Sequence, residues 1–164
     1  MATVKKTNAI RILENLKIPY VAKAYDDNTE HPLSKGAAGR TAEKLGIDPA
    51  TVYKTIVMRT ETKELCVFLQ SSLHEINLKK ARNAANCKEI NPIKPEELLG
   101  ATGYVRGGCS PLGMKKKLRT FIDSSALNHD KIHISAGLRG LQLEISPSDL
   151  IKACEATVTD LILE

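Results

Sequence analysis

The spacing of apolar and polar positions changes several times along the chain, and each change marks an element. TNAIRILENLKIPY (7 to 20) puts Ala9, Ile12, Leu13 and Leu16 on one helical stripe. That spacing predicts an amphipathic helix capped by Thr7 or Thr3 and ended by Pro19. YVAKAY (20 to 25) alternates as a short strand, and DDNTEHPLSKGAAG (26 to 39) reads as a polar, turn-rich loop containing Gly36 and Gly39. A short helix ending at Leu45 and Gly46 follows, and Asp48 and Pro49 carry the cap and first-turn chemistry of a helical turn. KTIVMRT (54 to 60) and ELCVFLQ (64 to 70), joined by ETK, predict a β-hairpin.

Beyond the hairpin, LHEINLKKARNAAN repeats Leu78, Ala81 and Ala85 at helical spacing, leaving Lys79, Lys80 and Arg82 as a basic solvent face. KPEELLG predicts a helix of one to two turns, with Pro95 near its start and Gly100 as its stop. Strands are expected at ATGYV, RTFID, KIHIS and GLQLEI, and Ser146, Pro147 and Asp149 open a last helix through SDLIKACEA. Helices and strands interleave irregularly, with no repeat, low-complexity tract or linker. The expectation is one α+β domain over residues 1–164, with a mixed, largely antiparallel sheet partly closed or flanked by helices.

Composition narrows the function classes. The chain has 164 residues, 42% apolar and 26% charged, which suits a folded domain and not a disordered segment. No apolar run reaches the roughly 18 residues of a membrane span, and MATVKKTNAIRIL lacks the apolar core of a secretory signal. A cytoplasmic protein that makes no membrane contact is expected. Cys66, Cys87, Cys109 and Cys154 show no CxxC spacing, and His31, His74, His129 and His133 show no ligand spacing, so neither a metal site nor a disulfide framework is expected. A formal charge of +5 favours an acidic partner such as nucleic acid. With 4% aromatics and no Trp, such contact would rest on phosphate and shape more than on base stacking.

The candidate chemistry concentrates in GYVRGGCSPLGMKKK (103 to 117), where four glycines precede three lysines. Cys109 invites a nucleophile reading but has no base nearby in sequence, and Ser110 lacks the GxSxG elbow. Gly113 is followed by Met114, so the phosphate-binding GxxxxGK[ST] spacing fails too. Glycines allow successive backbone N–H groups to converge on an oxygen with developing negative charge. Composition alone leaves a donor loop and a tight turn between strands equally open.

VYKTIV (52 to 57), GYVRGGCSPLGMKKK, FID (121 to 123) and SAGLRGLQLEI (135 to 145) together resemble the YbaK/EbsC family of aminoacyl-tRNA deacylases. These are relatives of the editing domain inserted in bacterial prolyl-tRNA synthetases, and the similarity runs over nearly the whole chain. The resemblance implies a mixed, mostly antiparallel, barrel-like sheet surrounded by helices, and hydrolysis of mischarged tRNA without a cofactor. By position, Lys54 matches the lysine of the family's VYKT motif, which holds the terminal adenosine and aminoacyl ester. Gly107, Gly108, Ser110, Pro111, Leu112 and Gly113 match the loop that holds the aminoacyl carbonyl, and Tyr25 matches a pocket-lining tyrosine. Ser135, Gly137, Arg139 and Gly140 match a second glycine turn facing the same pocket, and Lys115, Lys116, Lys117 and Arg119 are placed to meet acceptor-stem phosphates.

Two positions depart from the family pattern. Cys109 falls where an aliphatic residue is common, and Gln142 stands where well-known Cys-tRNA deacylases carry an aspartate. An amide can hydrogen-bond but cannot act as a base at neutral pH. The resemblance implies deacylation of Cys-tRNA(Pro) through the substrate's own thiol, with prolyl-tRNA synthetase as a potential partner. The alternatives are an alanyl or other small aminoacyl ester cleaved by an oriented water, and a non-catalytic module that binds tRNA or a synthetase.

Overall fold

The computed structural model describes residues 6–26 and 37–163, with the side chains of residues 37–39 excepted. The Thr3 cap, His31 and residues 27–36 of the polar loop lie outside the described residues. Along the described chain run α1 (Asn8–Asn15), β1 (Val21–Ala24), α2 (Ala37–Leu45), a 3₁₀ turn (Pro49–Thr51), β2 (Tyr53–Thr60) and β3 (Leu65–Ser71). Then come α3 (Leu78–Ala85), β4 (Ile90–Pro92), α4 (Pro95–Thr102), β5 (Arg119–Asp123), a second 3₁₀ turn (Ser124–Asn128), β6 (Ile132–Leu138), β7 (Leu141–Ile145), α5 (Pro147–Cys154) and β8 (Thr157–Thr159).

Two sheets form, ordered β1-β7-β6 and β4-β2-β3-β5-β8. Pairing is antiparallel except for β3 with β5 and β5 with β8, which are parallel. The architecture is therefore α+β with a mixed, mostly antiparallel β-structure. A parallel bridge between Val52 and His133 links the two sheets, and no closed barrel forms among the described residues. The barrel-like closure expected from the resemblance is thus not seen there.

Local chemistry accounts for most boundaries. Thr7 Oγ1 accepts the Ile10 N–H and starts α1, Asp48 caps the first 3₁₀ turn, and Ser146 Oγ accepts the Asp149 N–H at the head of α5. The hairpin register runs from Tyr53↔Ser71 to Arg59↔Leu65. β3 is buried along nearly its whole length, as its unbroken apolar run requires for a strand paired on both sides. Its Leu69 joins Ile10, Leu13, Ile122, Ile134 and Leu143 in the largest core cluster, while Phe68 stacks on Phe121 at 5.2 Å in a second cluster under α3.

Three expectations need correction. The α1 stripe runs through Ala9, Ile10 and Leu13, while Leu16 is 52% exposed, because the helix ends one residue earlier and Lys17 turns into the left-handed region at φ 58°. Gly100 does not stop α4, which continues until Gly103 supplies the positive-φ cap and donates its N–H to Leu99 O. Residues 101 to 105 are consequently helix end and loop, not a strand. Residues 37 to 39, assigned to the polar loop, open α2. The short β4 and β8 carried no alternation long enough to announce them.

Candidate active site

β6 begins alongside β2 at the Val52–His133 bridge, so two residues further on each strand stand Lys54 and Ser135. Farther on the strands part. β2 takes β4 as its neighbour from Met58 onward, and β6 is irregular between Ser135 and Leu138. Into this divergence comes the glycine loop. A Cβ on Gly108 would sit 3.0 Å from the Arg139 nitrogen and 3.1 Å from the Leu138 carbonyl carbon, so only glycine allows the two backbones to touch. Gly137, at φ +101°, would drive a Cβ to 2.8 Å from the Tyr104 ring. The two glycine segments singled out in the sequence are therefore in direct contact.

Tyr104 joins them. It is buried, its ring lies against Gly137, and its hydroxyl donates to Leu112 O at 2.5 Å. Burial pushes its phenol up to about 12, so it stays protonated as a donor. Sequence reasoning missed this residue by placing it in a strand. Its position, between a helix-capping glycine and a glycine loop, was the available signal.

The side chains within the loop turn inward. Ser110 is fully buried and its Oγ accepts the Leu112 N–H, which closes a turn. Pro111 and Leu112 are buried, Leu112 in the main core. Cys109 is 8% exposed and burial raises its thiol to about 11, the reverse of an activated nucleophile. The loop thus presents mainly backbone to the divergence. Gly107 is exposed, and both Gly107 and Gly113 have positive φ.

Tyr25 is half-buried beyond the end of β1. Its N–H donates to Gly140 O at 2.9 Å and its hydroxyl accepts from Thr41 Oγ1 at 3.3 Å, which ties α2 to the β6–β7 turn. Gln142 pairs with Ser135 on one side and Lys23 on the other. Arg139 lies in the same turn, where its backbone meets Gly108. Tyr25, Ser135 and Gln142 are thereby held on or against the β6–β7 hairpin that carries the second glycine segment, and Lys54 stands beside Ser135 across the Val52–His133 bridge.

Lys54 reaches solvent, yet partial burial lowers its pKa, with the Glu75 carboxylate pulling it back up. Among the described residues three buried side-chain oxygens have no hydrogen-bond partner: Thr55 Oγ1, Gln70 Oε1 and Gln142 Oε1. Gln70 is the cross-strand partner of Lys54 and Gln142 pairs with Ser135, while Thr55, paired with Leu69, points to the other face of β2. Buried polar atoms are satisfied nearly everywhere in folded proteins, so the Gln70 and Gln142 oxygens are left open to a donor from outside the chain, water or ligand. Thr55 and Gln70 were not singled out from sequence, because nothing in their spacing distinguishes them from other strand residues.

The predicted phosphate contacts divide. Lys115, Lys116 and Lys117 are exposed, with Lys117 paired to Glu155. Arg119 is engaged elsewhere: it donates from two nitrogens to Glu64, each at 2.8 Å, and to Ala85 O. It faces α3. No group of three or more His, Cys, Asp or Glu side chains able to hold a metal occurs among the described residues, and none of their helices is long and apolar enough to cross a membrane.

Comparison with known proteins gives the family and the fold. The aminoacyl-tRNA editing domain family matches residues 34–153. EbsC of Enterococcus faecalis, to which Cys-tRNA(Pro)/Cys-tRNA(Cys) deacylation is ascribed, is 35% identical over 149 residues, covering 91% of this chain and 88% of its own. A proline–tRNA ligase of Acidithiobacillus ferrooxidans is 36% identical over 70 residues, 43% of this chain and 12% of the ligase. The fold matches a crystal structure described as a proposed trans-editing enzyme for prolyl tRNA synthetase, with TM-score 0.78 at 22% identity over 98% of this chain and all of that one. The chain belongs to the aminoacyl-tRNA editing domain family. It is an enzyme of the aminoacyl-tRNA deacylase class.

Proposed function

We propose that the chain removes cysteine from Cys-tRNA(Pro), acting as one domain in the cytoplasm on tRNA released by prolyl-tRNA synthetase. The observation that carries the reading is the inward turn of the glycine loop. Ser110 Oγ is spent on a turn and the Cys109 thiol is held protonated by burial, so the loop lends no side-chain nucleophile. The substrate supplies one. Its thiol sulfur attacks the ester carbonyl carbon, the bond from that carbon to the tRNA 3′ oxygen breaks, and the thiol proton passes to the departing oxygen. Water then opens the resulting cyclic thioester to free cysteine. The loop N–H groups not already given to Val105 O or Ser110 Oγ, together with the Lys54 ammonium, stabilise the oxyanion and hold thiol and carbonyl in reach of each other.

One observation favours a second reading. Gln142 Oε1 is a buried acceptor without a partner, and it can take a hydrogen bond from a water poised at the carbonyl of a smaller ester, such as alanyl. Parallel single-turnover assays on Cys-tRNA(Pro) and Ala-tRNA(Pro) decide between them. Selective loss of the cysteinyl ester supports thiol assistance. Selective loss of the alanyl ester moves the chemistry to water, and persistence of both overturns the substrate assignment.

A further inference from the structure

Val105 to Gly108 form a tight turn at the entrance of the glycine loop. The Gly108 N–H donates to Val105 O at 2.9 Å, and Gly107, third of the four residues, has φ 85°. That is the arrangement of a type II turn, whose third position favours glycine. Arg106 takes the second position and is exposed, with Val105 and Gly107, while Gly108 is buried. The base of the turn is seated, since the Gly108 backbone lies against Leu138 and Arg139. Unlike Arg59, held by Glu97, and Arg119, held by Glu64, Arg106 has no hydrogen bond or ion pair with the described residues. At the other end of the same segment, Lys115 lies lengthwise along Gly103, its Cγ and Cε 3.3 and 3.6 Å from where a Gly103 Cβ would stand. The stretch from Leu98 to Ile122 contains no carboxylate, so it supplies no counter-charge to either cation.

We propose that Arg106 grips the phosphodiester immediately 5′ of the terminal adenosine, so that the loop reads the esterified 3′ end of a nucleic acid strand and not the ester alone. The inference rests on the reading of residues 107 to 113 as the wall that holds the aminoacyl carbonyl. An ester on the terminal ribose and that phosphate are separated by one sugar, so a wall that holds the first brings the second to its edge. Gly107 and Gly108 join Arg106 directly to this wall. A guanidinium offers paired planar donors that match two phosphate oxygens, and one without a partner gives up no existing bond to make them. Lys115 adds a field of the same sign from the loop's other end.

The test compares two substrates that differ only in this group, the cysteinyl esters of adenosine and of adenosine 5′-methylphosphate. With the full wild-type chain, kcat/KM should be about tenfold or more higher for the phosphorylated ester, as for a charge-assisted hydrogen bond. Arg106→Met should bring that ratio close to unity, and Arg106→Lys, which keeps the charge without the fork, should leave it in between. A general loss of folding or catalysis cancels in the ratio, so a ratio that survives in Arg106→Met overturns the proposal. Binding of the two corresponding non-hydrolysable amides asks the same question without turnover. Arg106→Met should abolish the tighter binding of the phosphorylated amide and lower the slope of its log affinity against log salt by about 0.7. A wild type that prefers the phosphorylated amide but cleaves neither ester sinks the proposed chemistry and leaves Arg106 standing. Equal binding of the two amides by the wild type overturns the role of Arg106 even where both esters are cleaved.

Discussion

One sheet face of this molecule carries two polar clusters built in opposite ways. Around His133 every group is matched. Its Nδ1 lies 2.9 Å from Thr51 Oγ1 and its Nε2 lies 3.1 Å from Glu144 Oε2, while Lys23 Nζ donates to Glu144 at 2.6 Å. Across the ladder from Lys54, Gln70 holds an acceptor oxygen with no partner, and a second such oxygen, on Gln142, stands where the two clusters meet, between Ser135 and Lys23. The contrast separates structure from function in a way residue type does not, since both clusters contain a lysine and buried polar side chains. A satisfied network rigidifies the sheet, whereas an unsatisfied acceptor carries a cost that an incoming donor can offset.

The sharpest way to break this comparison is to swap the consequences of losing each lysine. Lys54→Ala should lower single-turnover deacylation by about 10²–10³-fold, the usual loss for one donor to a developing oxyanion, with an unchanged melting curve. Lys23→Met should instead lower thermal stability and leave the rate within a few-fold. If the two phenotypes come out reversed, the sites have been misassigned.

Next in size comes the joint between the glycine segments. Gly137→Ala places a methyl against the Tyr104 ring at a backbone angle that side chains rarely adopt, so a loss of about 1–3 kcal/mol is expected in denaturant unfolding. Activity should fall with it, because Tyr104 also holds Leu112 O. Unaltered stability would show that the two segments are not locked together.

A smaller effect tests the closed cluster by pH. Burial holds His133 below its ordinary value of 6.5, with Glu144 opposing the shift. The unfolded chain therefore takes up a proton more readily than the folded one. Stability conferred by the neutral ring is complete above pH 6.5 and is lost as pH falls through the lower folded value. His133→Gln should flatten that part of the stability–pH curve. Persistence of the slope in the variant would assign it to another group.

Smallest of all, Arg119→Met should cost about 0–1 kcal/mol, as for an exposed ion pair. It should hardly alter the salt dependence of tRNA binding, since its guanidinium is taken by Glu64. Neutralising Lys115 and Lys116 together should reduce that dependence measurably.

How much of this was legible beforehand differs between fold and site. Caps at Thr7, Asp48 and Ser146 and the hairpin pattern identify their elements because those signals are local. The stop at Gly103 in place of Gly100 was not legible, since either glycine can end a helix and only packing of Tyr104 selects one. Lys54 and both glycine segments could be picked out through motif resemblance. Their contact, the bridging role of Tyr104 and the buried oxygen of Gln70 depend on pairing across strands far apart in sequence, and no local pattern encodes them.

The central claim, that the unsatisfied face around Lys54 receives the aminoacyl end of tRNA, is tested most directly by NMR titration of the labelled chain with a non-hydrolysable cysteinyl-adenosine amide. The account predicts that the backbone amides of Gly108 and Gly137, the Lys54 side chain and the side-chain amides of Gln70 and Gln142 shift together, while signals from Lys23, His133 and Glu144 stay in place. Saturable shifts centred on the His133 cluster, with Lys54 and the glycine segments silent, would contradict it.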